Sequence, residues 1–375
     1  MTFQFIHTAD WQLGAPFAGF SSDLSGELKA ARRDVIVSIA AIARDENVAH
    51  VVVAGDVWDS ETPSDATLAQ PLELMAEAGH VTWWLMPGNH DVHSKARLWA
   101  RVAQKKSANV RLLLTHDPVE AEPGVWFLPA PWDNRAPGRD LTAAMDAAQT
   151  PAGSIRIGIG HGSVEDFASE TAAVTRISKN RPDTAELDYL ALGDWHGMKQ
   201  ITPRIWYSGT PEPDRHVDND RGSVLLVSIA AHGATPTVRP IRSAKFEWPV
   251  AALELFGADD LSKVASMVLG ERSARTTLAK LSLSGRITIS DRQELARILS
   301  ELESRLAYLD VRDEKLEVIV EAADLDTLDA TGSVRAAADD LLLRKNNMDL
   351  SRADRDTAAR ALDLLFTFAA SKSEA

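Results

Sequence analysis

Short apolar runs alternate with longer stretches of helical period over about the first 240 residues of the chain. The runs "FQFIHT", "HVVVAG", "VTWWLM", "VRLLL", "VWFLP", "IRIGIG", "YLALG", "IWYSG" and "SVLLVSI" read as strands. They are too short for stable helices and rich in β-branched and aromatic residues. Strands alternating with helices predict an α/β layered fold. Several runs end in clusters of Asp, Asn, His and Gly. Ligands of open α/β sheets sit at the carboxyl ends of strands, so chemistry is to be sought in those clusters. Trp83 and Trp84 are adjacent in one run, and a period of two sends them to opposite faces, both as core.

The pattern changes after Arg242. "LSLSGRITIS" alternates with period two around a glycine that predicts a turn, "DRQELARILSELESRL" predicts an amphipathic helix, and "KLEVIVEA" a further strand. A first domain over residues 1–242 and a small α/β domain over 245–325 are expected. The remainder, 328–375, is helical in pattern, with Ala358, Leu362, Leu365 and Ala369 on one face. That face either packs within the chain or docks on a partner.

Composition narrows the function. The hydrophobic content of 45% and charged content of 25% are those of a soluble globular protein. A formal charge of −14 excludes a general coat protein for DNA, because the overall field repels phosphate. It leaves room for an enzyme whose site holds cations. The chain contains no Cys, which excludes disulfides and thiolate metal ligands and suits a reducing cytosol. No apolar run reaches the roughly 18 residues of a membrane span. The start "MTFQFIHTADW" has no basic region followed by a cleavable apolar stretch. A cytoplasmic protein without a membrane partner is expected.

Five motifs follow strand-like runs in order: "ADWQ" with Asp10, "AGDVWD" with Asp56, "PGNHD" with Asn89, His90 and Asp91, "GHGS" with His161, and "LGDWHG" with Asp194 and His196. Carboxylate, imidazole and amide oxygen are the ligands that hard and borderline divalent metals take. Each motif alone is weak, since "GNHD" by itself could be a turn. Five in sequence, each able to reach one rim of a sheet, point to a metal centre.

This set resembles the calcineurin-like metallophosphoesterases. "HTADWQLG", "AGDVWDSETPS", "PGNHD" and "YSGTPE" are similar in particular to DNA-repair exonucleases of the SbcD and YhaO type. The resemblance implies a four-layer α/β/β/α sandwich with a small capping domain that positions DNA. It also implies two divalent ions bridged by Asp56. The first would be held by Asp10, His196 and Gln12, and the second by Asn89, His161 and Asp194. His90 would stabilise charge at the phosphate and protonate the leaving oxygen, with Asp91 orienting it. Implied partners are DNA, a second copy in a homodimer, and an ATPase of the SbcC or YhaN type with long coiled coils, docked on the C-terminal helices. The implied activity is 3′ to 5′ exonuclease, with endonuclease activity besides.

Two positions depart from that pattern. Gln12 stands where the family has His, and Asp194 where it has the first His of a Gly-His-x-His motif. The ligand set shifts toward oxygen, which favours Mn²⁺, or Mg²⁺, over Zn²⁺, with the first ion weaker or exchangeable. Asp59 is a further site candidate or a cap for the helix starting near Ser64. Trp195 lines the substrate groove or packs beneath the metals. Arg97, Arg101 and Lys105 recur every four residues on a helix face that either touches the DNA backbone or faces solvent. Arg176, Lys179 and Arg181 are placed similarly. His7, His93 and His216 read as structural or loop histidines. Two alternatives to a nuclease stay open: a phosphodiesterase or phosphatase for nucleotides and small molecules, and a catalytically weak subunit that binds DNA ends.

Overall fold

The computed structural model describes residues 2–93, 97–134, 137–164, 176–216, 222–319 and 332–373. It divides into two compact units, Met1–Glu247 and Trp248–Ala375.

The first unit begins with β1 (Phe3–Thr8), α1 (Ser22–Asp45), β2 (His50–Ala54), α2 (Asp65–Glu77), β3 (Thr82–Met86), α3 (Leu98–Lys105) and β4 (Val110–Leu112). It continues with β5 (Val119–Glu122), β6 (Val125–Pro129), β7 (Ile155–His161), β8 (Ser163–Val164), β9 (Arg176–Ile177) and the single turn α4 (Arg181–Thr184). β10 (Tyr189–Gly193), β11 (Lys199–Thr202), β12 (Ile205–Tyr207), β13 (Ser223–Ile229) and β14 (Thr237–Arg242) complete it. Two six-stranded sheets result, ordered β14-β13-β1-β2-β3-β4 and β11-β12-β10-β7-β6-β5. β1 to β4 pair in parallel, as do β6, β7, β10 and β12.

Phe5, Val52 and Trp84 of the first sheet meet Phe127, Ile157 and Tyr189 of the second. The opposite face of the first sheet, with Ile6, Val53 and Trp83, packs on Val35 and Ile39 of α1 and Leu68 and Leu72 of α2. Leu190 and Leu192 of the second sheet are covered by Leu141 and Met145 of a short 3₁₀ segment, Leu141–Ala147. The layers are thus helix, sheet, sheet, helix, the last one thin. Central strands are covered on both faces, which is why all of "HVVVA" is buried and Val51 to Ala54 are apolar without alternation.

His7 links the sheets within this core. The Leu192 carbonyl, 3.2 Å from Nε2, can only accept, so Nε2 carries the proton and Nδ1 accepts from the Tyr189 hydroxyl at 3.0 Å. Burial pulls the His7 pKa down to about 3, so the ring stays neutral.

The second unit contains β15 (Val250–Leu255), α5 (Ala258–Leu269), β16 (Leu278–Thr288), α6 (Ile289–Arg305) and β17 (Tyr308–Ile319). Its three strands pair in parallel in the order β15-β16-β17. The turn expected within "LSLSGRITIS" is not there: β16 runs through Gly285, with a register shift between Ser282 and Ser284. Parallel neighbours need crossover helices, here α5 and α6, and period two alone does not distinguish them from a hairpin. The strand expected in "KLEVIVEA" is β17 as far as Ile319, and its last residues lie outside those described.

α7 (Ser333–Asn346) and α8 (Arg352–Ser373) close the unit. Ala338 and Leu362 pack with Ile289, and Val318 and Leu365 lie against them, so one face of the helices packs within its own unit. Ala358 is also buried, and the side chain of Ala369 lies outside those described. Among the described residues, no helix is long and apolar enough to cross a membrane.

Candidate metal centre

Parallel strands end at a common rim, and the loops beyond β1, β2, β3, β7 and β10 carry the chemistry-bearing residues there. Asp10, Gln12, Asp56 and Asp194 all have left-handed backbones, with φ of 53°, 42°, 54° and 96°. Such φ values are uncommon for residues with side chains and gather where function constrains the loop. Gly55, at φ 92°, lets β2 turn toward the site; a Cβ there would run into the His161 ring. A Cβ on Gly88 would run into the Asp56 carboxylate, so this glycine lets the "PGNHD" loop close over that residue.

Ligand atoms of Asp10, Asp56 and His161, all buried, lie within 4.8 Å of one another. His161 Nδ1 donates to the Ala54 carbonyl at 2.9 Å, which turns Nε2 toward Asp56 Oδ1 at 3.5 Å and Asn89 Oδ1 at 2.7 Å. The His90 backbone N–H donates to Asp56 Oδ1 at 2.9 Å. The Asp194 backbone N–H donates to Asp10, 3.1 and 3.2 Å from its two oxygens, while the Asp194 carboxylate accepts from Ser163 Oγ at 3.1 Å. Asp194 therefore braces Asp10 and stands outside the tight group. His196 lies beyond Gln12, its Nε2 3.1 Å from Gln12 Nε2 and its Nδ1 3.1 Å from Asp214 Oδ2.

The electrostatics call for positive charge. Burial, with Asp56 and Asp194 nearby, raises the Asp10 pKa to about 6 against the opposing pull of His196 and His161. At Asp56 burial also pushes upward, but His161 and the His90 N–H outweigh it and hold the pKa below the ordinary carboxylate value. At His161 burial disfavours the charged ring, yet Asp56, Asp10 and Asp194 hold its pKa well above the usual 6.5. Buried carboxylates that stabilise an imidazolium so strongly would stabilise a divalent cation by the same field. Donor types and spacing fit a metal centre.

The other predicted residues fall in several places. His90 presents a side chain that is 43% exposed, with Nδ1 3.3 Å from the Asp59 carbonyl oxygen and 3.8 Å from Asp59 Oδ1. Asp59 is thus a neighbour of His90, and burial raises its pKa; the cap of α2 is Ser64. Asp91 does not orient the His90 ring. Its buried carboxylate accepts from Gly88 N at 2.7 Å and Trp58 N at 3.1 Å, which ties the loops after β2 and β3 together. Burial raises its pKa to about 7.

Trp195 is 43% exposed, with Lys199 Nζ 5.3 Å from its ring centroid, so it does not pack beneath the ligands. The basic stripe is broken: α3 starts at Leu98, and Arg97 precedes it with φ 68°. Arg101 is engaged by Asp65 at 3.0 Å and by the Pro63 carbonyl. Lys105 is exposed in the last turn, where a cation suits the helix dipole. Arg181 is buried against Asp140 and Asp146, and His93 bonds the Leu114 carbonyl.

Asp214 and Arg32 carry no motif of their own. Asp214 holds His196 and is bonded by Arg215 at 3.2 Å, with Arg32 of α1 3.9 Å away. Burial pushes the Asp214 carboxyl up, but His196 and Arg32 bring it far below the usual range. Arg32 also donates to the Trp11 carbonyl at 2.9 Å and the Glu212 carbonyl at 3.1 Å.

A helix–sheet–sheet–helix sandwich with carboxylate, amide and imidazole side chains gathered on one rim defines a metal-binding phosphoester hydrolase. The chain belongs to the calcineurin-like phosphoesterase family, which it matches over residues 3–227 and which works with divalent metals. It is similar to the SbcD component of the nuclease SbcCD from Bacillus subtilis (strain 168), being 32% identical over 89 residues. That match covers 23% of this chain and only 21% of the relative. A solved structure aligns with 64% of this chain and 99% of its own at 9% identity and a TM-score of 0.41, too distant to carry an argument.

Proposed function

We propose that this chain is a divalent-metal-dependent DNA nuclease of SbcD-like type, cutting from 3′ to 5′. The observation that carries the hydrolytic reading is the convergence of Asp10, Asp56, Asn89 and His161 beneath the exposed ring of His90. The choice of DNA is supported by the likeness to a nuclease component.

Divalent ions bound at this centre would supply Lewis acidity for phosphoester hydrolysis. Asp56, with Asp10 and His161, would hold the ions. The Ala54 carbonyl keeps the Nε2 of His161 aimed inward, and Asn89 adds a neutral oxygen. His90, exposed at the rim with Nδ1 beside Asp59, would give its proton to the leaving oxygen, and Asp59 would steady the ring. Trp195 and Lys199 offer a stacking face and a cation to the nucleotide beside the scissile phosphate. The oxygen-rich ligands favour Mn²⁺, with Mg²⁺ next.

By the same likeness, the proposed partners are a second copy of the chain and a coiled-coil ATPase of the SbcC or YhaN type, in the cytoplasm. Exposed Leu343, Met348 and Leu364 near and on the C-terminal helices are available to the ATPase. The second unit would position the DNA end.

Cleavage of an end-labelled linear duplex with Mn²⁺, Mg²⁺ or EDTA, beside the H90A variant, tests the reading. Metal-dependent shortening from the 3′ end that H90A loses is expected. Hydrolysis confined to nucleotides or small diesters would favour the second reading, to which the charge of −14 lends weight. Salt-sensitive DNA binding without turnover under any metal would leave a DNA-binding role alone.

A further inference from the structure

The two halves of the centre differ in what their imidazoles are doing. In one half, His161 Nδ1–H donates to the Ala54 carbonyl and Nε2 faces Asp56 and Asn89. In the other, His196 Nδ1 lies 3.1 Å from Asp214 Oδ2, which only accepts, and 3.4 Å from Arg215 Nη2; the closer carboxylate places the proton on Nδ1 and the lone pair on Nε2. That lone pair is what a cation would use. Gln12 Nε2 lies 3.1 Å from it and is a donor.

We propose that this hydrogen bond makes the centre unequal. One ion is held tightly by Asp10, Asp56, His161 and Asn89. A second position, at Gln12 and His196, is latched shut and admits an ion only when the Gln12 amide lets go of His196. The inference rests on the metal-hydrolase reading and not on DNA being the substrate.

Three observations support the latch. Gln12 cannot move away as a whole, because its backbone N–H is bonded to the Asp56 carbonyl at 2.9 Å and its φ is fixed at 42°. Its side chain is buried, which leaves rotation of the amide as the available motion. His196 cannot offer its other nitrogen, because Asp214 is itself anchored by Arg215 and flanked by Arg32. An imidazole at position 12 would compete differently, presenting a lone pair to the cation. The amide instead has a donor end, which His196 engages, and an acceptor end that binds a metal only after rotation. Substrate phosphate oxygens, arriving as additional ligands, would favour opening. The resting protein therefore carries one ion and takes the second together with substrate.

Titration of the full-length protein with Mn²⁺, followed by calorimetry and electron paramagnetic resonance, tests this. The first equivalent is expected to give the six-line spectrum of an isolated ion, and the second to bind at least about tenfold more weakly. In Q12H the two affinities should approach each other and an exchange-coupled spectrum appear. Q12E, which keeps the side-chain shape and has no amide donor, should move in the same direction and guards against misfolding of Q12H. Two equally tight, coupled ions in the unsubstituted protein would overturn the inference, as would both variants behaving like the parent. Unequal binding in a protein that cuts no DNA would support the latch and overturn only the nuclease reading. Failure to bind Mn²⁺ at all would overturn both.

Discussion

Gly55 shows how narrowly single positions are constrained around this centre. With φ at 92° and the His161 ring against its Cα, it has no space for a methyl group. Gly55→Ala should lower Mn²⁺ affinity tenfold or more, because the His161 ring must move off its bond to Ala54; unchanged affinity would show that the ring is free to adjust. That Asp10, Asp56, Asn89 and His161 would come together was legible because each follows an apolar run within a short motif, so a local pattern marks a local geometry. Asp214 and Arg32 were not, since Asp214 reaches His196, and Arg32 reaches Asp214, only through tertiary contact, and both look like ordinary surface charges in sequence. The part played by Asp91 was misjudged for a related reason: adjacency to His90 suggested contact with its ring, but its carboxylate points back to Gly88 and Trp58.

Elements were legible where periodicity has one interpretation. "HVVVA" could only be a buried strand, and the pair Trp83 and Trp84 do face opposite layers. "LSLSGRITIS" had two interpretations, and the crossover helices on either side decided between them. The contact between β1 and β10 carries a pH dependence. Burial depresses the His7 pKa to about 3 from 6.5, so the unfolded chain binds a proton that the folded one refuses. The contribution is fully present above about pH 6.5 and is lost as pH falls toward 3, a difference of roughly 5 kcal/mol. Urea unfolding of the parent and of His7→Gln across that range should show the slope in the parent and a flatter profile in the variant. Parallel profiles would mean that His7 is protonated without penalty.

At the scale of the molecule, every residue of the centre, Arg32 and Asp214 included, lies in the unit Met1–Glu247, which has its own core. Residues 1–247 expressed alone should unfold cooperatively and bind Mn²⁺ with the stoichiometry of the whole chain; loss of binding would show that the second unit completes the centre. The charge of −14 was legible from composition, whereas the fate of individual cations was not. Arg101 and Arg181 look like phosphate ligands in sequence and are engaged by Asp65 and by Asp140 in the fold.

The most direct test of the central claim is anomalous diffraction at the manganese edge from crystals grown with Mn²⁺. A peak bounded by Asp10, Asp56, Asn89 and His161 is the predicted result. A peak elsewhere, or none at this rim in crystals that diffract well, would contradict it.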